Sequence, residues 1–186
     1  MAETGIDAVG PDAILDFWFA AGPDRWFKKD VAFDREIAER FGGAHAAAAA
    51  GKLDSWRDSA RGALALIILL DQFPRNMFRD TPQAFATDEQ ALAVAEAAVT
   101  RGFDKIFPLP ERRFFYMPFM HAEDPAMQRR CVELCEKAGD KEGLKHARIH
   151  ADIVDLFGRF PHRNPILGRK TTADEERFLD EGGFAG

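Results

Sequence analysis

Eight consecutive apolar residues, Ala63 to Leu70, stand between Ser59 and Pro74. This run constrains the fold more than any other feature of the chain. Wound as a helix it is apolar on every side, so it must be surrounded by other elements. It is far shorter than the roughly 20 residues that span a bilayer, so no membrane partner is expected. Ser59 offers a cap at its start. Pro74 disfavours helical geometry in Phe73, which predicts a stop there. A buried central helix needs a shell of amphipathic partners.

The rest of the chain supplies them. Asp12 is placed to cap a first helix with Ile14, Leu15, Trp18 and Phe19 on one stripe, ended by Ala21-Gly22-Pro23. A long helix is expected from Asp30 to Gly51, with Phe33, Ile37 and Phe41 at four-residue steps and a kink at Gly42-Gly43. Thr81-Pro82 should restart a helix, and another should run from Asp88 to Arg101, closed by Gly102. Asp124-Pro125 opens a helix to Gly139, and Asp140 opens the next, to Phe157-Gly158. Thr172 and Glu175 form a capping box for the last, which Gly182-Gly183 stops. No stretch shows the two-residue alternation of a strand. The expectation is an all-α fold of about eight helices in antiparallel hairpins joined by short loops.

A length of 186 residues fits one domain, 1–186, with residues 1–10 as a loose N-terminal segment. The net charge of -6 gives no global reason to expect nucleic acid as a partner. Cys131 and Cys135 have neither zinc nor redox spacing and read as small core residues in a reducing compartment. The N-terminus lacks the apolar stretch of a secretory signal, so a cytoplasmic setting is expected. No glycine loop matches a phosphate or dinucleotide motif, and no cofactor is expected.

One motif recurs. Phe73-Pro74-Arg75-Asn76 follows the central helix, and Phe160-Pro161-His162-Arg163-Asn164 follows the penultimate one. Each is trailed by a further arginine, Arg79 and Arg169. The second lies in a locally basic stretch: between Asp140 and Lys170 there are seven basic residues against four acidic ones. Guanidinium groups present a rigid fork of donors suited to carboxylate or phosphate. Asp71, at the end of the apolar run, needs a cation, because its charge opposes the negative end of the helix dipole. Either it fixes a helix–helix turn as a buried ion pair, or it orients an arginine toward a ligand. Asn76 and Asn164 could cap the following turn or donate to an anion. The ligand-binding candidates are therefore Asp71, Arg75, Asn76, Arg79, Arg159, Arg163, Asn164 and Arg169. If the two helices pack alike, both turns converge on one polar site.

Histidines supply the catalytic alternatives. His121 and Glu123, or His150 and Asp71, could serve as acid–base pairs. His146 and His150 share a helical face, and with His121 and Glu123 they make a candidate metal set. No nucleophile elbow is present. The aromatic residues Trp18, Trp26, Trp56, Phe114, Phe115 and Tyr116 read as core.

The segments Leu69–Asn76 and Phe157–Asn164, with Met117–Glu123 and Ile166–Arg169, resemble the bacterial domain-of-unknown-function family nine-two-four. The resemblance runs from Ile14 to Phe184 and implies a tetratricopeptide-like superhelical stack, although no 34-residue repeat is visible. It implies no activity. The leading reading is a helical binding module for a small anionic molecule or an acidic peptide end. The alternatives are a hydrolase or lyase using histidine and carboxylate, metal-assisted or not, and an interaction scaffold in which the charges only lock helices.

Overall fold

The computed structural model describes residues 9–184. The expected loose segment at residues 1–10 lies, up to residue 8, outside the described residues. Every regular element among those described is helical, as expected. The chain divides into two compact units. The first runs up to Arg79 and includes Gln83–Pro118; the second is Asp80–Pro82 with the chain from Phe119 onward.

In the first unit, α1 (Pro11–Ala21), α2 (Pro23–Trp26) and α3 (Val31–Ala49) precede the central helix α4 (Ala60–Ile67). Asp12 is not the cap of α1. Gly10 occupies that position and Pro11 opens the helix, where its missing N–H is not needed. Asp12 instead accepts from Arg61 at 2.6 Å. Asp30 caps α3 by accepting from the amides of Ala32 and Phe33, and α3 runs unbroken through Gly42-Gly43. Ser59 caps α4 through Gly62, whose lack of a Cβ lets the Trp56 carbonyl pass close by. Residues 63–67 of α4 are all buried, as a helix apolar all round requires. Helix α1 packs on it, as does α6 (Asp88–Thr100), and Phe17, Trp18, Trp26, Phe33, Phe73 and Phe114 interlock beside it.

The proline does not end this helix. The backbone widens into a π-helical turn, Ile68–Gln72, and continues as α5 (Phe73–Met77). A proline inside a helix lacks a donor and crowds the carbonyl four residues back, which a wider turn relieves. The amide of Phe73 reaches Ile68 across the widened turn. The carbonyls that Pro74 leaves unserved are met from outside. His45 Nδ1–H donates to Leu69 O at 2.8 Å, and the Thr87 hydroxyl donates to Leu70 O at 2.5 Å. Thr81-Pro82 gives only a 3₁₀ turn, Pro82–Phe85, before α6 (Asp88–Thr100).

The short α7 (Met117–His121) spans the boundary between the units. In the second unit α8 (Pro125–Ala138) and α9 (Lys141–Phe157) form an antiparallel hairpin. Its turn is built from left-handed Gly139 and the cap Asp140, which accepts from Gly143. Cys131 and Cys135 are free thiols buried on α8, and their mutual hydrogen bond with burial pushes the Cys131 thiol up. The last helix, α10 (Ala173–Asp180), carries the full capping box of Thr172 and Glu175. No helix among the described residues is long and apolar enough to cross a membrane.

Candidate functional site

The two Pro-Arg-Asn turns belong to different units, and each closes over its own carboxylates. In the first unit Asp71 is 0% exposed. It accepts from Gln72 at 2.5 Å and pairs with Arg75 at 3.2 Å. Arg75 also forms a two-pronged bridge to Asp88 at 2.8 and 2.9 Å and donates to the Asp71 carbonyl. Burial opposes charge on Arg75, but Asp71 and Asp88 more than offset it and hold the guanidinium ionised. Asn76 and Arg79 both donate to Asp34 on α3. The Asn of this turn thus grips a carboxylate instead of capping a turn.

The second unit repeats the device. Asn164 donates to Glu175 at 3.2 Å, and Arg159 bridges the same carboxylate at 2.6 and 2.9 Å. The hydrogen bonds from Arg159 hold Glu175 down at about 2, against the effect of burial. Arg169 donates to Asn164 Oδ1 and bridges Glu123 at 2.6 and 2.9 Å. Glu123 also accepts from the Phe160 amide, so both of its oxygens serve the turn. Burial works against its charge, yet Arg169, the Phe160 amide and Arg163 keep it below the usual carboxylate range. A shallow groove of about 710 Å³ lies beside the Arg159–Glu175 bridge, floored by Leu156, Phe157 and Phe178. The Arg159 guanidinium in its wall is already matched to Glu175.

What distinguishes the second turn is its surroundings. The ring of Phe160 is a hub: His150 lies 5.4 Å from it, His162 5.8 Å, and the Arg163 guanidinium sits 4.6 Å over its face. Phe184 lies 4.6 Å from His150 and 5.3 Å from His162. Arg163 and His150 are each only 7% exposed. Burial lowers His150 to about 4, helped by the charges of His121, Arg163 and His146 and resisted by its bond to the His146 carbonyl. His162 is also lowered to about 4, by burial first and then by Arg163, Arg169 and His121, with Glu123 opposing. His121, at the end of α7, thus acts on both imidazoles. The buried Nδ1 of His162 has no hydrogen-bond partner among the described residues.

Among the sequence candidates, the structure brings His121, Glu123, His150, Arg163, Asn164 and Arg169 into one neighbourhood. In the other unit Asp71 and Arg75 join Asp88, and Asn76 and Arg79 join Asp34. The metal set is not assembled: no group of three His, Cys, Asp or Glu side chains among the described residues could share an ion. His146 donates instead to Glu142 at 3.1 Å. His162 and Phe184 were missed by sequence reasoning. The only hint of His162 was its place inside the second turn, where the first has none.

Helical units tied by carboxylate-gripping turns define the class. The model of the bacterial protein family of unknown function DUF924 matches residues 14–183, and the chain belongs to that family. Among solved structures it is similar to a protein of unknown function, ATU0120, from Agrobacterium tumefaciens. The identity is 50% and the TM-score 0.90, over 92% of this chain and 97% of that one. No curated protein matches.

Proposed function

We propose that this protein is a helical binding module whose second unit holds a small anion between Arg163 and the imidazoles of His121, His150 and His162. The observation that carries the reading is the gathering of His150, His162 and Arg163 around one aromatic ring. Arg163 and Arg169 both act on this neighbourhood, with Glu123 among them. In a buried site of low dielectric, charge-assisted hydrogen bonds to an anion are strong.

The tautomer of His150 gives the reading a sign. Its Nδ1–H donates to the His146 carbonyl at 2.9 Å, so in the neutral ring Nε2 is an acceptor. An anion at Nε2 requires that nitrogen to take up a proton, and binding should tighten as pH falls. An imidazole lowered to about 4 is a weak base at neutral pH, which counts against acid–base catalysis. For the first unit the interaction-scaffold reading is favoured, because Arg75 and Arg79 end on Asp71, Asp88 and Asp34. The net charge of -6 supports neither nucleic acid nor an anionic membrane as partner, and the two buried free thiols support a cytoplasmic setting.

Sulfate tests the proposal, because its charge is constant between pH 5 and 8. It should stabilise the protein by about 2.7 kcal/mol at a hundredfold excess over its dissociation constant, and more tightly at pH 5 than at pH 8. Arg163→Gln should abolish this gain while keeping the helical circular dichroism spectrum. Sulfate also stabilises folded proteins by exclusion from their surface, and that effect would survive the substitution. An equal gain in both proteins sinks the reading.

A further inference from the structure

Helix α9 turns Ala147, His150, Ala151 and Val154 inward, and all four are buried. Its outward side carries Lys141, Lys145, Ile149, Asp152, Asp155 and Leu156, all exposed. Ile149 is 38% exposed and Leu156 69%, although the helix has already buried an apolar stripe elsewhere. The four charged side chains make no ion pair or hydrogen bond among the described residues. Their neighbours Arg148 and His146 are engaged, by Glu136 and Glu142.

These charges are sorted along the helix. Both lysines precede Ile149 and both aspartates follow it. A parallel copy of such a face sets like against like, whereas an antiparallel copy sets each lysine against an aspartate. The spacing fits as well as the sign. Lys145 stands four residues before Ile149 and Asp152 three after, about 6 and 4.5 Å along a helix rising about 1.5 Å per residue. At about 100° per residue, both lie on the same side of Ile149, about 40° and 60° round the helix. Lys141 lies about 12 Å before Ile149, and Asp155 and Leu156 about 9 and 10.5 Å after it. We propose that this face of α9 docks on the same face of a second copy of the chain, antiparallel, about a two-fold axis at Ile149. Lys145 of each copy then meets Asp152 of the other, Lys141 meets Asp155, and Leu156 packs along the Lys141 stem. Only a second copy is bound to present this same order of charges in reverse. The proposal uses no residue of the anion reading and stands apart from it.

One helix from each copy makes a small contact, so the dimer is weak and sensitive to salt. Sedimentation equilibrium of the full chain, from about 10 μM to 1 mM at low salt, should show monomer and dimer in exchange. Raising sodium chloride from about 20 to 500 mM should weaken the dimer at least about tenfold. Asp152→Lys and Lys145→Asp, each alone, should weaken it by at least about tenfold, because each sets like charges against each other across the axis. An equal mixture of the two variants should recover the association, since each supplies the charge that the other lacks. The chain carrying both substitutions should self-associate like the unsubstituted one. The positions are exposed, and an unchanged circular dichroism spectrum would show that each variant is folded. A chain that stays monomeric throughout overturns the proposal, and so does a dimer indifferent to salt and to both single substitutions. Dimerisation lost in the single variants and regained in neither the mixture nor the double variant also overturns it. The unsubstituted chain's response to salt decides even where a variant does not fold.

Discussion

The two Pro-Arg-Asn turns share a sequence and differ in what surrounds their first arginine. Arg75 meets two aspartates, one of them wholly buried, so its charge is neutralised by the fold itself. Arg163 lies over an aromatic ring among imidazoles, and Glu123, on which its charge acts, is bridged by Arg169. The asparagine and the trailing arginine do the same work in both turns. Asn76 and Arg79 grip Asp34 directly, whereas Asn164 joins Arg169 to the carboxylate held by Arg159. A repeated motif can thus keep the same kind of partner for most of its residues while one position meets different surroundings.

Substituting each arginine by methionine puts the comparison at risk. Arg75→Met strands the buried Asp71 carboxylate and should cost about 3–5 kcal/mol in urea denaturation. Arg163→Met should cost less, below about 2 kcal/mol, because Glu123 keeps Arg169. It should also let His150 and His162 titrate closer to 6.5, which nuclear magnetic resonance would follow. Equal losses would mean that both turns are ion-pair devices and nothing more.

The next effect is on pH dependence. His150 and His162 are lowered from 6.5 to about 4, so between these values the unfolded chain binds more protons than the folded one. Stability should therefore fall as pH drops from 6.5 toward 4, by about 3 kcal/mol for an imidazole shifted this far. His45 in the first unit, lowered by burial, contributes in the same direction. Replacing His150 and His162 together by glutamine should remove most of the slope. If the slope survives, the second unit's imidazoles are not its source.

The smallest effect concerns the first turn alone. Thr87→Val keeps the shape but withdraws the hydroxyl from the Leu70 carbonyl, and should cost about 1–2 kcal/mol. An unchanged denaturation midpoint would mean that the widened turn needs no outside donor.

Much of the fold was legible because its signals are local. Asp30, Ser59, Asp124, Asp140 and Thr172 each bond amides two or three residues ahead, and each stands at a helix start expected from sequence alone. Pro74 misled for a physical reason: its local preference is to stop a helix, and only distant His45 and Thr87 make continuation tolerable. The site was half legible. Its arginines stood out, but their partners Asp34, Asp88, Glu123 and Glu175 lie 13 to 46 residues away; Asp34 and Asp88 look like ordinary surface carboxylates, and Glu123 stood out only as a partner for histidine. Glu175 read only as a capping-box residue, although it also carries Arg159 and Asn164. Phe184 follows two glycines at the end of the last helix, where nothing in its spacing tells which side chains it will meet.

The widened turn at Ile68–Gln72 also sets a phase. An α-helix advances about 100° per residue, so one residue accommodated in a wider turn re-aims everything downstream by about that angle. Arg75 and Asn76 face Asp88 and Asp34 from that re-aimed position. Deleting any single residue of the segment, even an apolar one, would return the helix to ordinary winding and swing both side chains off their carboxylates. The faces of α4 upstream would stay where they are. The number of residues between Ser59 and Arg75 is therefore as tightly constrained as their chemistry.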